Sequence, residues 1–219
     1  MGRENKKDAV AALHREKIMD AAESLFSEKG FEATTIEDIS KVSEYSRRTI
    51  YAYYESKDDI LHHIIEKGLL LLKGEIKSAI QNNSDFLSQY KAICLAMIKY
   101  QKECPCSLEN VTKTKTENWN FESLSDTVKH ILVLGTEINN LLAEFIENGK
   151  RNGVVRQDVV PLITVYILWS SMTSLITLVQ TKGQFIYKQF NISENDFYEY
   201  GFNQIVNSIL EVKISEPDA

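Results

Sequence analysis

The sequence has no paired cysteines or histidines at metal-ligand spacing. Its three cysteines are Cys94, Cys104 and Cys106. Cys104-Pro105-Cys106 is too short a loop for a standard redox or zinc pair, and no second pair completes a site. Free thiols are expected, with redox sensing through Cys104 or Cys106 as the alternative. A glycine-rich phosphate loop, a nucleophile elbow and a histidine-rich metal motif are also missing. His14, His62, His63 and His130 are scattered along the chain. The expectation is therefore no enzyme, no metal and no cofactor. An excess of positive charge is lacking too. The formal net charge is -6 and the sequence pI ≈ 5.4, which argues against a generic coater of nucleic acid. Even in the first sixty residues acids outnumber lysines and arginines. The N-terminus is polar and has no apolar core of a secretory signal, so a cytoplasmic location is expected. Period-two alternation of strand length is absent, as is any internal repeat. The chain reads as all-α.

What is present is an ordinary globular composition, 43% hydrophobic and 26% charged over 219 residues. That length accommodates one small domain and one larger one. The small one is expected at residues 1–56 and the larger at 57–219.

The most informative segment is Thr34 to Lys57, TTIEDISKVSEYSRRTIYAYYESK. Ahead of it, Ile18, Ala22, Leu25 and Phe26 recur at helical spacing. Gly30 suits a left-handed helix end, with Phe31 folding back on it. Thr34 and Thr35 offer hydroxyls as caps, with Glu37 and Asp38 each three residues on. Ser46 is a natural N-cap for a third helix. On a wheel of that helix, Ser46, Ile50, Tyr53 and Tyr54 share one side. Arg48, Tyr51 and Ala52 share the other, with Arg47 at the edge. Ser56 caps a fourth helix, with Asp58 and Asp59 in its first turn. The outcome is a chain cut into short helices, one of which carries a basic, aromatic free face. An arginine fork suits the O6 and N7 of guanine in the major groove, and a tyrosine hydroxyl or lysine ammonium suits a phosphate. The alternative is a three-helix packing unit with a solvated charged face.

This segment resembles the helix-turn-helix of the TetR family of transcriptional regulators. The family pattern T-x-x-x-I-A-x-x-A-G-V-S-x-x-T-x-Y-x-Y-F-x-x-K is met by Thr35, Ile39, Ser46, Thr49, Tyr51, Tyr53 and Lys57. Tyr54 stands for the common Phe, Ser40 and Ser43 for alanines, Tyr45 for Val, and Glu44 for the turn glycine. A positive φ at Glu44 would cost of order 1 kcal/mol. The resemblance implies that Thr35, Tyr51, Tyr53 and Lys57 grip phosphates. It implies that Ser46, Arg47, Arg48 and Thr49, joined by Tyr45, face bases or nearby backbone. For Tyr53, core packing and phosphate contact stand side by side. Arg3, Lys6 and Lys7 form either a basic arm or a loose tail.

The larger domain continues the helical periodicity. A fourth helix runs from Ile60 toward Ile80, and Phe86 to Gln101 forms another. Glu109 to Asn120 reads as a polar loop. Ser125 to Asn148 is a long helix, and the last helix is expected at about Glu194 to Val212. Val159 to Thr181 carries no charge. It is long enough to span a bilayer, but its many Ser and Thr fit a buried core or dimer helix better. The resemblance implies a homodimer formed by the last two helices, a double-stranded DNA operator with two-fold symmetry, and a small-molecule effector, with no membrane partner. Met97, Tyr100, Trp119, Phe121, Phe145, Tyr166, Trp169 and Met172 are candidates to line an effector cavity, each equally a core residue. A DNA-bound factor that takes a protein partner and no small ligand is the rival reading, as is an activator in place of a repressor.

Overall fold

The computed structural model describes residues 4–113 and 121–211. The order is α1 (Glu4–Lys29), α2 (Ile36–Ser43), α3 (Arg47–Tyr51), α4 (Lys57–Gln81), α5 (Phe86–Glu103), α6 (Pro105–Lys113), a 3-10 turn (Phe121–Ser123), α7 (Asp126–Arg151), α8 (Pro161–Phe190) and α9 (Glu194–Asn207). The fold is all-α. Among the described residues the only β pairing is an isolated bridge between Val155 and Leu210.

Packing divides the described chain into two units. One comprises the residues up to Leu71 and those within Lys102–Leu134; the other comprises Leu72–Gln101 and the residues from Gly135 on. In the first unit Ile18, Ala22 and Phe26 of α1 are buried together with Ile39, Ile50, Ile60 and Ile64. Gly30 ends α1 at φ 88 and Phe31 packs edge-on to Phe26, ring centroids 5.1 Å apart. α6 packs against α1 and buries Cys106, Ser107 and Leu108.

The second unit is built on α8. Its Val165, Leu168, Met172, Ile176 and Val179 are buried, and α9 lies along it. Gly201 sits where a Cβ would fall 2.6 Å from Leu175, so the lack of a side chain lets the two helices meet closely. Phe86 and Phe145 stack at 4.4 Å. Gly149 lies beneath them, with space for no Cβ beside Phe86 and Val155.

Several expectations are corrected. Glu109 to Lys113 is helical, part of α6, because Pro105 opens a turn whose apolar side is buried; 114–120 lies outside the described residues. The last helix stops at Asn207. Beyond it the chain pairs with the loop after α7, through Arg156 N–H to Ile209 O (3.0 Å) and Glu211 N–H to Val154 O (2.9 Å). The backbone at Lys6 and Lys7 is helical and begins α1, so these two are not a loose tail; Arg3 lies outside the described residues. The helix that holds the uncharged run extends beyond it to Phe190, and its last turns carry Lys182 and Lys188. All three cysteines are buried and free. Burial pushes the Cys94 and Cys106 thiols up to about 12 and Cys104 up to about 11.

Candidate DNA-binding surface

The turn between α2 and α3 is set by caps at both ends. Thr35 and Asp38 form a closed capping box: Asp38 N–H donates to Thr35 Oγ1 (3.2 Å), and Thr35 N–H donates to Asp38 Oδ2 (3.0 Å). Thr34 instead turns inward and donates to the Gly30 carbonyl (2.8 Å). At the other end of α2, Glu44 takes the left-handed conformation at φ 62, as its place in the turn requires. Lys17 Nζ meets the Glu44 carboxylate at 3.0 Å and anchors that residue to α1. Ser46 then caps α3, its Oγ accepting from Thr49 N–H (3.1 Å).

The cap fixes which side of α3 faces inward. Ile50 is fully buried, and Tyr54, just past the helix, is buried with its hydroxyl on the Arg15 carbonyl (3.1 Å). Ser46, Arg47, Arg48 and Tyr51 are exposed, Tyr51 at 55%. Three acids of this segment are tied to cations: Glu37 to Arg47 (3.4 Å), Asp38 to Lys29 (2.7 Å) and Glu44 to Lys17. Local placement thus leaves Arg48 and Lys41 as exposed cations without an ion-pair partner among the described residues, on a chain of net negative charge.

The Lys29 ammonium, with the Thr35 hydroxyl and N–H, holds the Asp38 carboxyl far below the usual carboxylate range. Tyr45 is half-buried, with the His14 ring at 5.0 Å and Lys17 Nζ at 5.5 Å from its ring. Thr49 is half-buried and shares a hydrogen bond with Ser46 (2.8 Å); the two hydroxyls have two protons and use one between them.

The four residues expected on phosphates are placed differently from one another. Tyr51 is free. Thr35 has both its hydroxyl and its N–H engaged by Asp38. Tyr53 is half-buried, its hydroxyl 2.9 Å from His14 Nδ1. The Lys57 ammonium donates to the carbonyls of Phe31 (2.7 Å) and Thr34 (2.9 Å) and lies 4.1 Å over the Phe31 ring. It clamps the turn after α1 and keeps one of its three N–H groups. His14 is the residue that reading the chain missed. It stands four residues before Ile18 on the apolar side of α1, and a polar ring on that line is the signal that marks it.

In the second unit an apolar cavity of about 30 Å³ lies among α5 (Tyr90, Ile93, Met97), α7 (Leu142, Phe145, Ile146) and α8 (Val165, Leu168, Trp169, Met172). Four of the eight residues expected around an effector, Met97, Phe145, Trp169 and Met172, line it. Tyr100 is sealed in the core at 1% exposure, while Tyr166 and Phe121 face solvent. Trp119 lies outside the described residues. No group of three or more His, Cys, Asp or Glu able to hold a metal occurs among the described residues.

A capped two-helix turn presenting arginines beside tyrosines is the arrangement of a helix-turn-helix. Residues 18–64 match the family model described as bacterial regulatory proteins, tetR family. It is similar to an HTH-type transcriptional regulator, YfiR, of Bacillus subtilis, 40% identical over 64 residues, 27% of this chain and 31% of that one. It is 24% identical to the HTH-type transcriptional repressor KstR2 of Rhodococcus jostii over 148 residues, 66% of this chain and 69% of that one. The match to YfiR thus spans about a third of that relative's length. The fold is shared with the regulator FadR from Bacillus subtilis solved with stearoyl-CoA, at a TM-score of 0.67 and 15% identity, covering 89% of this chain and 98% of that one.

Proposed function

We propose that the chain is a homodimeric, cytoplasmic repressor that binds a palindromic operator through α3 and leaves it when a small molecule binds the second unit. Residues 1–56 serve DNA binding, and 57–219 serve regulation and dimerisation. The observation that carries this reading is the free face of α3. Arg48 and Tyr51 are exposed there beside Arg47, on a helix whose other side is fixed by the buried Ile50. Arg48 reads a base edge and Arg47 a base or nearby phosphate. Ser46 or Thr49 donates the hydroxyl proton their mutual bond leaves over. Tyr45, Tyr51, Tyr53 and the remaining N–H of Lys57 bind the backbone, and Thr35 joins them when its hydroxyl turns from Asp38.

One five-residue helix reads too little sequence to find a site in a genome, so two copies are needed, about 34 Å apart on successive groove faces. α8 supplies a surface for the second copy. Ile163, Tyr166, Ile167 and Phe185 are exposed on it at 58–69%. Ser170, Ser174 and Thr181 lie on the same exposed side. By length and composition α8 could also cross a membrane. Its opposite side is buried within its own unit, which fits a helix that packs on both sides.

The cavity lining is apolar, so an uncharged, apolar effector fits it best. A space of about 30 Å³ holds only water-sized guests. An effector therefore parts the helices, and the flexible Met97 and Met172 are suited to that. It shifts operator affinity only by binding one state better than the other. The test is selection of duplexes from a random pool by the purified chain, followed by salt titration. A palindrome with steep salt dependence is the expected result, and no preferred sequence overturns the proposal.

A further inference from the structure

We propose that His14 is a positioning residue for backbone recognition: its Nδ1–H donates to the Tyr53 hydroxyl oxygen and frees the phenol proton for a DNA phosphate. The inference rests on the DNA-binding reading of the α3 surface. His14 lies on α1, 39 residues before Tyr53, with Nδ1 2.9 Å from the phenol oxygen. The imidazole is wedged between two tyrosines. Its ring is 5.0 Å from that of Tyr45, and 5.7 Å from that of Tyr53 with the planes at 86°. Cations flank both phenols. The Arg15 guanidinium is 5.6 Å from the Tyr53 ring, and Lys17, paired with Glu44, is 5.5 Å from that of Tyr45. An anion is the ligand such a rim attracts.

Proton bookkeeping assigns the role. A phenol has one proton to give. Where that proton goes to His14 Nδ1, the Tyr53 oxygen can only accept, and a phosphodiester has no proton to offer it. Where Nδ1 carries the proton, in the matching neutral tautomer or the doubly protonated ring, the phenol accepts from histidine and donates outward. An approaching phosphate selects the second arrangement, because that arrangement alone adds a charge-assisted hydrogen bond. The two bonds in series polarise each other in the same direction.

The test uses the full chain and a palindromic duplex it has selected from random sequence. Affinity is measured for wild type, Tyr53→Phe, His14→Leu, His14→Asn and the double variant His14→Leu/Tyr53→Phe. Thermal midpoints are recorded alongside. Tyr53→Phe is expected to weaken binding by about ten- to a hundredfold, the worth of one hydrogen bond to a charged group, and His14→Leu by a smaller factor, because the phenol keeps its proton but loses the partner that orients and polarises it. The double variant should be no weaker than Tyr53→Phe. His14→Asn, whose amide N–H reaches the Nδ1 position, should recover most of the loss. The salt slope should stay constant throughout, since no phosphate-bound charge is removed. Nitrogen NMR of the complex should show Nδ1 protonated. Additive losses, failed rescue by asparagine, an unprotonated Nδ1, or a salt slope lowered by His14→Leu each overturn the proposal. Should His14→Leu not fold, the asparagine variant and the NMR signal decide. A wild-type chain that selects no duplex overturns the DNA-binding reading itself. Tight wild-type binding that Tyr53→Phe leaves intact overturns this inference alone.

Discussion

Arg48 and Lys57 sit nine residues apart and should fail differently. Arg48 is exposed and unpaired among the described residues. Arg48→Ala should cost about 1–3 kcal/mol of operator affinity and relax preference at one base. Measured against a panel of single-base operator variants, equal loss on every sequence would move Arg48 to the backbone. Lys57→Ala should weaken all sequences alike and lower the salt slope by about 0.9 for the phosphate lost. It should also lower the thermal midpoint, because the Phe31 and Thr34 carbonyls lose their donor. The sequence showed a lysine at the right place in the pattern. It did not show that the ammonium holds a turn 26 residues upstream, because a pairing across that distance leaves no periodic trace. Acid gives a third outcome. Asp38 is held ionised in the fold by Lys29 and Thr35, below its ordinary 3.8. The stabilisation it gives the capping box is present above about pH 4, where an unfolded aspartate is also ionised. It is lost as pH falls toward the folded value. Asp38→Asn should flatten the acid limb of a pH–stability curve.

Elements were legible where caps or a one-sided stripe defined them. Gly30, Thr35, Ser46 and Ser56 each mark a boundary the structure keeps, and Ser56 Oγ accepts from Asp59 N–H at 3.0 Å. Thr35→Ala should destabilise the chain by roughly 1 kcal/mol in a denaturant titration, the usual cost of a lost N-cap. α6 was not legible, since Cys106, Ser107 and Leu108 are the only residues buried among those of its short run whose side chains are described. α8 was legible as a helix but not as to orientation. Apolar residues surround it, so no stripe told that Trp169 would face the cavity and Tyr166 the solvent. Gly149 shows the limit of the same reasoning at a close contact. An added methyl would fall 2.6 Å from Phe86 and 2.7 Å from Val155, and the stacked Phe145 blocks the ring's retreat. Gly149→Ala should cost about 1–3 kcal/mol of stability.

For the whole molecule, the exposed apolar side of α8 makes assembly measurable. Ile163→Glu with Phe185→Glu changes only solvent-facing residues, so the protomer should keep its fold. Sedimentation should report a monomer, and operator affinity should collapse, since one α3 alone reads too few bases. A dimer that survives both changes would place the contact elsewhere. The sequestered thiols offer a tool for following that assembly. The unreactive native sulfhydryls leave an introduced Glu55→Cys, at an exposed site, as the position a maleimide dye labels under neutral conditions. Energy transfer between one donor and one acceptor on paired protomers would then report how far apart the two α3 copies stand, before and after an effector is added.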